Sequence, residues 1–214
     1  MRPCWAVLAL GLIAMPAVAA QDQDITIDLR VVAHATLDGA DLDRARETAT
    51  ALLATGGIRG SWRDCAAGAC SPATVAGPAA GSPAVTVLLL PIAKRNDGDV
   101  CGEATRDGLT RDPTVLVYVK SIAERVSSIR RSTTGRSNPR LSTIQPGHLA
   151  GIAIAHEVGH ALGLGHAPAG VMKARLGLDE LLEWQRSGLA FSRSEGTSMR
   201  AGLMSSSIGT SRVQ

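Results

Sequence analysis

Three of the five histidines in this 214-residue chain fall between positions 151 and 166, in the stretch GIAIAHEVGHALGLGH. His156 and His160 stand four residues apart, and on a helix of about 3.6 residues per turn that spacing puts both imidazoles on one face. Two imidazoles converging on one point make a metal site, and a zinc ion, Zn2+, is its ordinary occupant. Glu157 lies about 100° around the same helix, close enough for its carboxylate to reach a water in an open position of the metal and act as its base. Gly163 and Gly165 let the backbone leave the helix, one of them at positive φ, so that His166 returns as the third ligand. Three neutral imidazoles plus water is the ligand count of a catalytic zinc site, whereas a structural site fills all four positions with protein side chains.

His156, Glu157, His160, Gly163 and His166 spell HExxHxxGxxH, and Met172 follows in AGVMK. This resembles the long zinc signature and Met-turn of the metzincin metallopeptidases, and GLGHAPAGVM is most similar to the matrixin branch or its small bacterial relatives. The resemblance implies an α+β, metzincin-like zincin fold with a twisted mixed β-sheet, an active-site helix and a small C-terminal subdomain. It implies that His156, His160 and His166 bind zinc, that Glu157 is general base and proton shuttle, and that Met172 forms an apolar floor beneath the metal. It further implies an edge strand bordering the cleft, supplied by residues 114–119 or by the strand before them, along which a peptide lies extended. Some branches add a tyrosine near the methionine. Tyr118 is the sole tyrosine and lies far from Met172 in sequence.

The elements that must position these groups follow from pattern. Residues 24–33, DITIDLRVVA, alternate apolar and polar at period two and predict a first strand. Residues 40–54 change to helical spacing through Leu42, Ala45, Ala49, Leu52 and Leu53, with Asp38 placed to cap and Gly56 and Gly57 to stop. IRGSWRD, 58–64, is a second strand, AVTVLLL, 84–90, a central one and TVLVYV, 114–119, a further one. A short helix is expected over 121–129, a basic solvated loop over 130–140, and a closing helix over 176–184. Pro146 sits at the start of the metal-bearing helix, and Leu149, Ile152, Ile154 and Ala155 supply its packing. His148 is two turns from His156 and so is no fourth ligand; His34 reads as a surface or supporting residue. The run KRNDGD, 94–99, lacks a full calcium-binding loop and reads as a solvated turn. A second AG-apolar-Met string ends at Met204, within a Ser/Gly-rich tail, and Met172 is the better floor.

Residues 1–20 have one arginine before an apolar run and small residues after Pro16, the pattern of a secretory signal peptide. The apolar run is too short for a comfortable membrane span. The expectations are a secreted or periplasmic protein without stable membrane insertion, a catalytic domain over 21–185 and a Ser/Gly/Arg-rich tail over 186–214. With one Phe and one Tyr, the core must be built from Leu, Val, Ile and Ala. Removing Arg2 from 22 basic residues leaves 21 against 19 acidic, and the tail holds Arg186, Arg193, Arg200 and Arg212 against Glu195 alone. The catalytic portion is near neutral, which argues against a nucleic-acid surface.

A secreted setting permits disulfides. Cys65 and Cys70 are the candidate pair, closest in sequence, although either can instead bridge to Cys101; the thiol left over is an inert buried group or a latency ligand for zinc. The function these features predict is a secreted zinc-dependent endopeptidase acting on a peptide or protein substrate through a zinc-bound water activated by Glu157. The alternatives are a catalytically silent zinc-binding adhesion or regulatory module and a zinc amidase acting on a nonprotein amide. The intact Glu157 separates the first from the second, since a binding module has no chemical need of that base.

Overall fold

Period-two alternation shapes the first strand: β1, Ile25–Ala33, buries Ile27, Leu29 and Val31 on one face, each contributing roughly 1.5–3 kcal/mol of transfer free energy. On its other face Asp28 holds the guanidinium groups of Arg30 and Arg63. The computed structural model describes residues 25–65, 83–92, 100–105, 113–132, 136–175, 178–186 and 188–208. The expected leader, Cys70 and the 94–99 turn fall outside them. No helix among the described residues is long and apolar enough to cross a membrane.

Four further strands join β1: β2, Ile58–Cys65; β3, Ala84–Leu90; β4, Gly102–Thr105; and β5, Thr114–Tyr118. Their order is β2-β1-β3-β5-β4, so the nearly unbroken apolar run of β3 occupies the middle of the sheet, where both faces are covered or half-covered. β2, β1, β3 and β5 are parallel to one another in that order, with Leu29 opposite Val85 and Val87 opposite Val115. β4 is antiparallel to β5. The sheet is therefore mixed and the fold α+β, as expected. The edge is a correction: neither 114–119 nor 84–90 lies at the border, because β4 adds beyond β5. Four residues of GEAT carry too little alternation to announce a strand.

Helix α1, Gly39–Thr55, crosses between the parallel strands β1 and β2, capped by the Asp38 side chain, which accepts from Asp41 N–H at 2.7 Å. Helix α2, Val119–Arg131, follows β5 directly. Of the basic loop expected over 130–140, residues 130 and 131 belong to α2, and most of the other described residues are exposed. Arg130 donates to Gln145 Oε1 at 2.8 Å, and α3, Pro139–Ser142, buries Leu141 completely. One apolar side chain in a polar run has no periodicity to betray it.

Helix α4, Pro146–Ala161, carries HEVGH and lies against α1. A Cβ on Gly147 would come within 2.3 Å of Asp41 O, and one on Gly151 within 2.5 Å of Thr48 Cβ. The two helices approach backbone to backbone, and this close approach buries Asp41 and Thr48, which the apolar pattern of α1 did not include. Asp41 is satisfied there by Gly147 N–H at 3.1 Å and Arg44 at 2.7 Å.

After α4 come α5, Leu178–Arg186, and α6, Arg193–Ile208. Residues 193–208 of the Ser/Gly/Arg-rich tail are thus helical, and Phe191, Met199 and Leu203 are buried. Arg200 donates to Gly56 O at 2.8 Å, seating α6 on the end of α1. Small residues make the seat: a Cβ on Gly196 would lie 2.7 Å from Gly56 O, and one on Gly202 2.4 Å from Leu162 O.

Candidate metal centre

The metal-bearing helix begins on Pro146 with a reciprocal cap: Gln145 receives the His148 N–H, and His148 Nδ1 accepts from Gln145 N–H at 3.1 Å. His148 also packs against Trp184, the rings tilted by 51° with 4.8 Å between centroids. It thus secures the start of the helix and stands apart from the metal ligands.

The helix ends shortly before His166. Gly163 takes φ +97°, its N–H bonding His160 O at 2.9 Å, while Leu164 N–H bonds Gly159 O at 2.9 Å. This left-handed exit, at the first of the two candidate glycines, satisfies the last carbonyls and returns the chain toward the helix face. His166 follows three residues later. Ala167 N–H then bonds Met172 O at 2.8 Å, closing the segment between ligand and methionine into a tight loop with Gly170 at φ +79°.

His156, His160 and His166 come together, each offering one nitrogen within 4.8 Å of the others. His156 is buried, His160 half-buried and His166 exposed, so the group opens to solvent on the His166 side. The tautomers are set by backbone. His156 Nδ1 lies 2.7 Å from Val171 O and His160 Nδ1 2.8 Å from Leu164 O. A carbonyl only accepts, so both Nδ1 atoms carry the proton, and both Nε2 atoms present lone pairs. Those two Nε2 atoms stand 3.0 Å apart. Two acceptors facing each other repel unless a cation lies between them, so the donor set fits a divalent metal, and three imidazoles fit zinc. Burial, more than the neighbouring rings, also pushes the His156 pKa down to about 4, which keeps the ligand neutral.

Met172 is fully buried, its Sδ 2.5 Å from where a Cβ on Gly159 would lie. The glycine between the two helical histidines makes the room that the methionine fills, with Phe191 behind it. Met204 is 62% exposed on α6 and has no such place. The turn holding Met172 also supplies the Val171 carbonyl that orients His156.

Glu157 is buried against β4. Ala104 N–H donates to its carboxylate, while burial, reinforced by the charge of Glu103, raises its pKa to about 7. Gly102 is required here, since a Cβ would meet Glu157 Cγ at 2.8 Å and Leu116 O at 2.9 Å. Strand parity explains the Ala104 contact. Tyr118 N–H bonds Cys101 O at 2.9 Å, so Cys101, Glu103 and Thr105 turn their backbone groups toward β5, while Gly102 and Ala104 turn theirs to the free edge.

Three groups near Glu157 were not legible beforehand: Ala104 and Glu103 on the unannounced strand, and Tyr118. The Tyr118 hydroxyl donates to Glu103; burial, then Glu103 and Glu157, push its pKa up to about 12, so it stays a donor. Tyr118 is thus close enough to Glu103 and Glu157 to feel their charge, a placement that its position in sequence did not announce. Cys101 holds a thiol rather than a disulfide, which removes the pairings through it. Cys65 ends β2, and its expected partner Cys70 lies outside the described residues. His34, at the end of β1, is not among the residues gathered at the metal group.

No protein-family model and no curated protein matches the sequence. Among solved structures the chain is similar to archaemetzincin from Methanopyrus kandleri, at 19% sequence identity and a TM-score of 0.45, over 87% of this chain and 99% of that one.

Proposed function

We propose that this chain is a zinc-dependent endopeptidase of metzincin type, exported by residues 1–20 and acting on peptides or proteins outside the cytoplasm. The observation that carries the reading is the pairing of two features: three converging imidazoles, two of them with proton-free Nε2 atoms, and a desolvated carboxylate, Glu157, on the helix that carries those two. Zinc bound by His156, His160 and His166 supplies Lewis acidity toward a water and the scissile carbonyl. Glu157 accepts the proton of that water and returns it to the departing amine, a shuttle for which a carboxyl raised to about 7 is suited near neutral pH. Val171 O and Leu164 O hold the imidazoles in the ligating tautomer. Met172 excludes water from below. The outward backbone groups of Gly102 and the Ala104 carbonyl offer hydrogen bonds to an extended peptide laid along β4. A silent binding module would have no use for a buried base held by Ala104.

The test is Glu157→Gln. The variant should keep zinc at the wild-type stoichiometry and lose roughly 10²–10⁴-fold in peptide hydrolysis. Turnover equal to wild type, in protein purified free of contaminating peptidase, would sink the mechanism.

A further inference from the structure

β4 brings one charged side chain to the border of the site. Glu103 lies between the two residues that contact Glu157, Gly102 and Ala104, and it is exposed. Its backbone is committed to β5, paired opposite Leu116. The hydroxyl of the buried Tyr118 donates to its carboxylate, and a carboxylate has acceptor sites for more than one donor.

The parity of the strand states what an added peptide would meet. Gly102 points both backbone groups outward and Ala104 leaves its carbonyl there, so a peptide antiparallel to β4 bonds at those groups. The substrate residue directly opposite Glu103 then sits in a non-hydrogen-bonded pair, with Cβ atoms about 4.5–5.5 Å apart and both side chains on one face. That spacing lets a long cationic side chain reach the carboxylate, while an acidic one faces the negative charge of Glu103.

Resting on the peptidase reading above, we propose that Glu103 is a specificity-determining residue that selects substrates carrying an ammonium or guanidinium group at the position opposite it on β4. The cation is a Lys or Arg side chain or the free α-ammonium of the peptide. Tyr118 keeps the carboxylate aimed at that position.

The experiment uses the full-length zinc-loaded protein and blocked peptides, acetylated and amidated, with Lys, Gln or Glu scanned through the positions around the cut. A second peptide set has neutral side chains and a free N-terminus, to separate side-chain from α-ammonium recognition. Wild type should favour Lys over Glu at one position, or free over acetylated N-terminus, by about tenfold in kcat/KM, equivalent to about 1.4 kcal/mol. Glu103→Gln should bring that ratio close to one, and Glu103→Lys should invert it, at unchanged zinc content. A wild type indifferent to charge, or a preference that survives both substitutions, overturns the proposal. The same peptides are titrated by fluorescence anisotropy against Glu157→Gln, with and without Glu103→Gln. If no peptide is cut by wild type, the peptidase reading falls, and the binding ratio alone then decides the role of Glu103.

Discussion

Gly102→Ala places one methyl group between the edge strand and the proposed base. Its Cβ would lie 2.8 Å from Glu157 Cγ, 2.9 Å from Leu116 O and 3.2 Å from Glu157 Oε1. Non-bonded carbon atoms prefer about 3.5–4.0 Å, so a displacement of roughly 0.7 Å is required. Leu116 O belongs to β5, an inner strand held on both sides, and gives little. The movement therefore falls on Glu157 or on β4, and either lengthens the Ala104 contact to the carboxylate. Overpacking of this size costs about 1–3 kcal/mol in stability, while misplacing a catalytic group by about 1 Å costs on the order of 10²-fold in rate. The imidazoles are held by Val171 O and Leu164 O, which the methyl does not touch, so zinc content should be unchanged. Hydrolysis of a fluorogenic peptide and metal analysis on the same preparation separate the two effects. Gly39→Ala, where nothing lies within 4 Å, is the control. Wild-type kcat/KM in Gly102→Ala would refute the claim that β4 positions Glu157.

In metal-free protein, Glu157 has its pKa raised from an ordinary 4.5 to about 7. Its folded state therefore prefers the proton, and the associated stability is present below about 4.5 and lost as pH rises through 7, on the order of 3 kcal/mol in all. His156, lowered from 6.5 to about 4, has the opposite sign: its contribution is present above 6.5 and lost as pH falls through 4. Chemical denaturation across pH 4–8 should show Glu157→Gln gaining on wild type as pH rises; a constant difference would contradict the buried, desolvated carboxyl. Gly163→Ala forces a side chain into φ +97° with no steric neighbour, a backbone cost of roughly 1–2 kcal/mol. Zinc affinity by competition with a chromophoric chelator should fall with it, and unchanged affinity would show that His166 does not depend on this exit. Met199→Ala empties a fully buried position on α6 and should cost about 2–5 kcal/mol in urea unfolding; a loss below about 0.5 kcal/mol would mean that α6 adds nothing to the domain.

The extent to which the chain could be read in advance follows from how local each feature is. The helix carrying His156 and His160, their spacing of four, the glycine exit and the methionine six residues beyond His166 all depend on helix geometry and on one positive φ, and both are written in contiguous residues. The same holds for β1, β3, β5, α1 and the Asp38 cap, whose periods of two or 3.6 exceed the noise of a short window. What tertiary structure decided depends on partners distant in sequence. Carbonyls of Val171 and Leu164 choose the histidine tautomers, and backbone acceptors have no sequence signature. β4 exists because β5 offers it a ladder, so four residues without strong alternation became the edge beside Glu157 and carried Glu103 there with them. Tyr118 reached the base through that same pairing. Likewise Ser- and Gly-rich residues 193–208 became a packed helix because Gly56 and Leu162 present backbone to which only small residues can come close. Spacing along one helix thus determined which groups could hold a metal, while strand pairing and backbone contacts determined what surrounds the base.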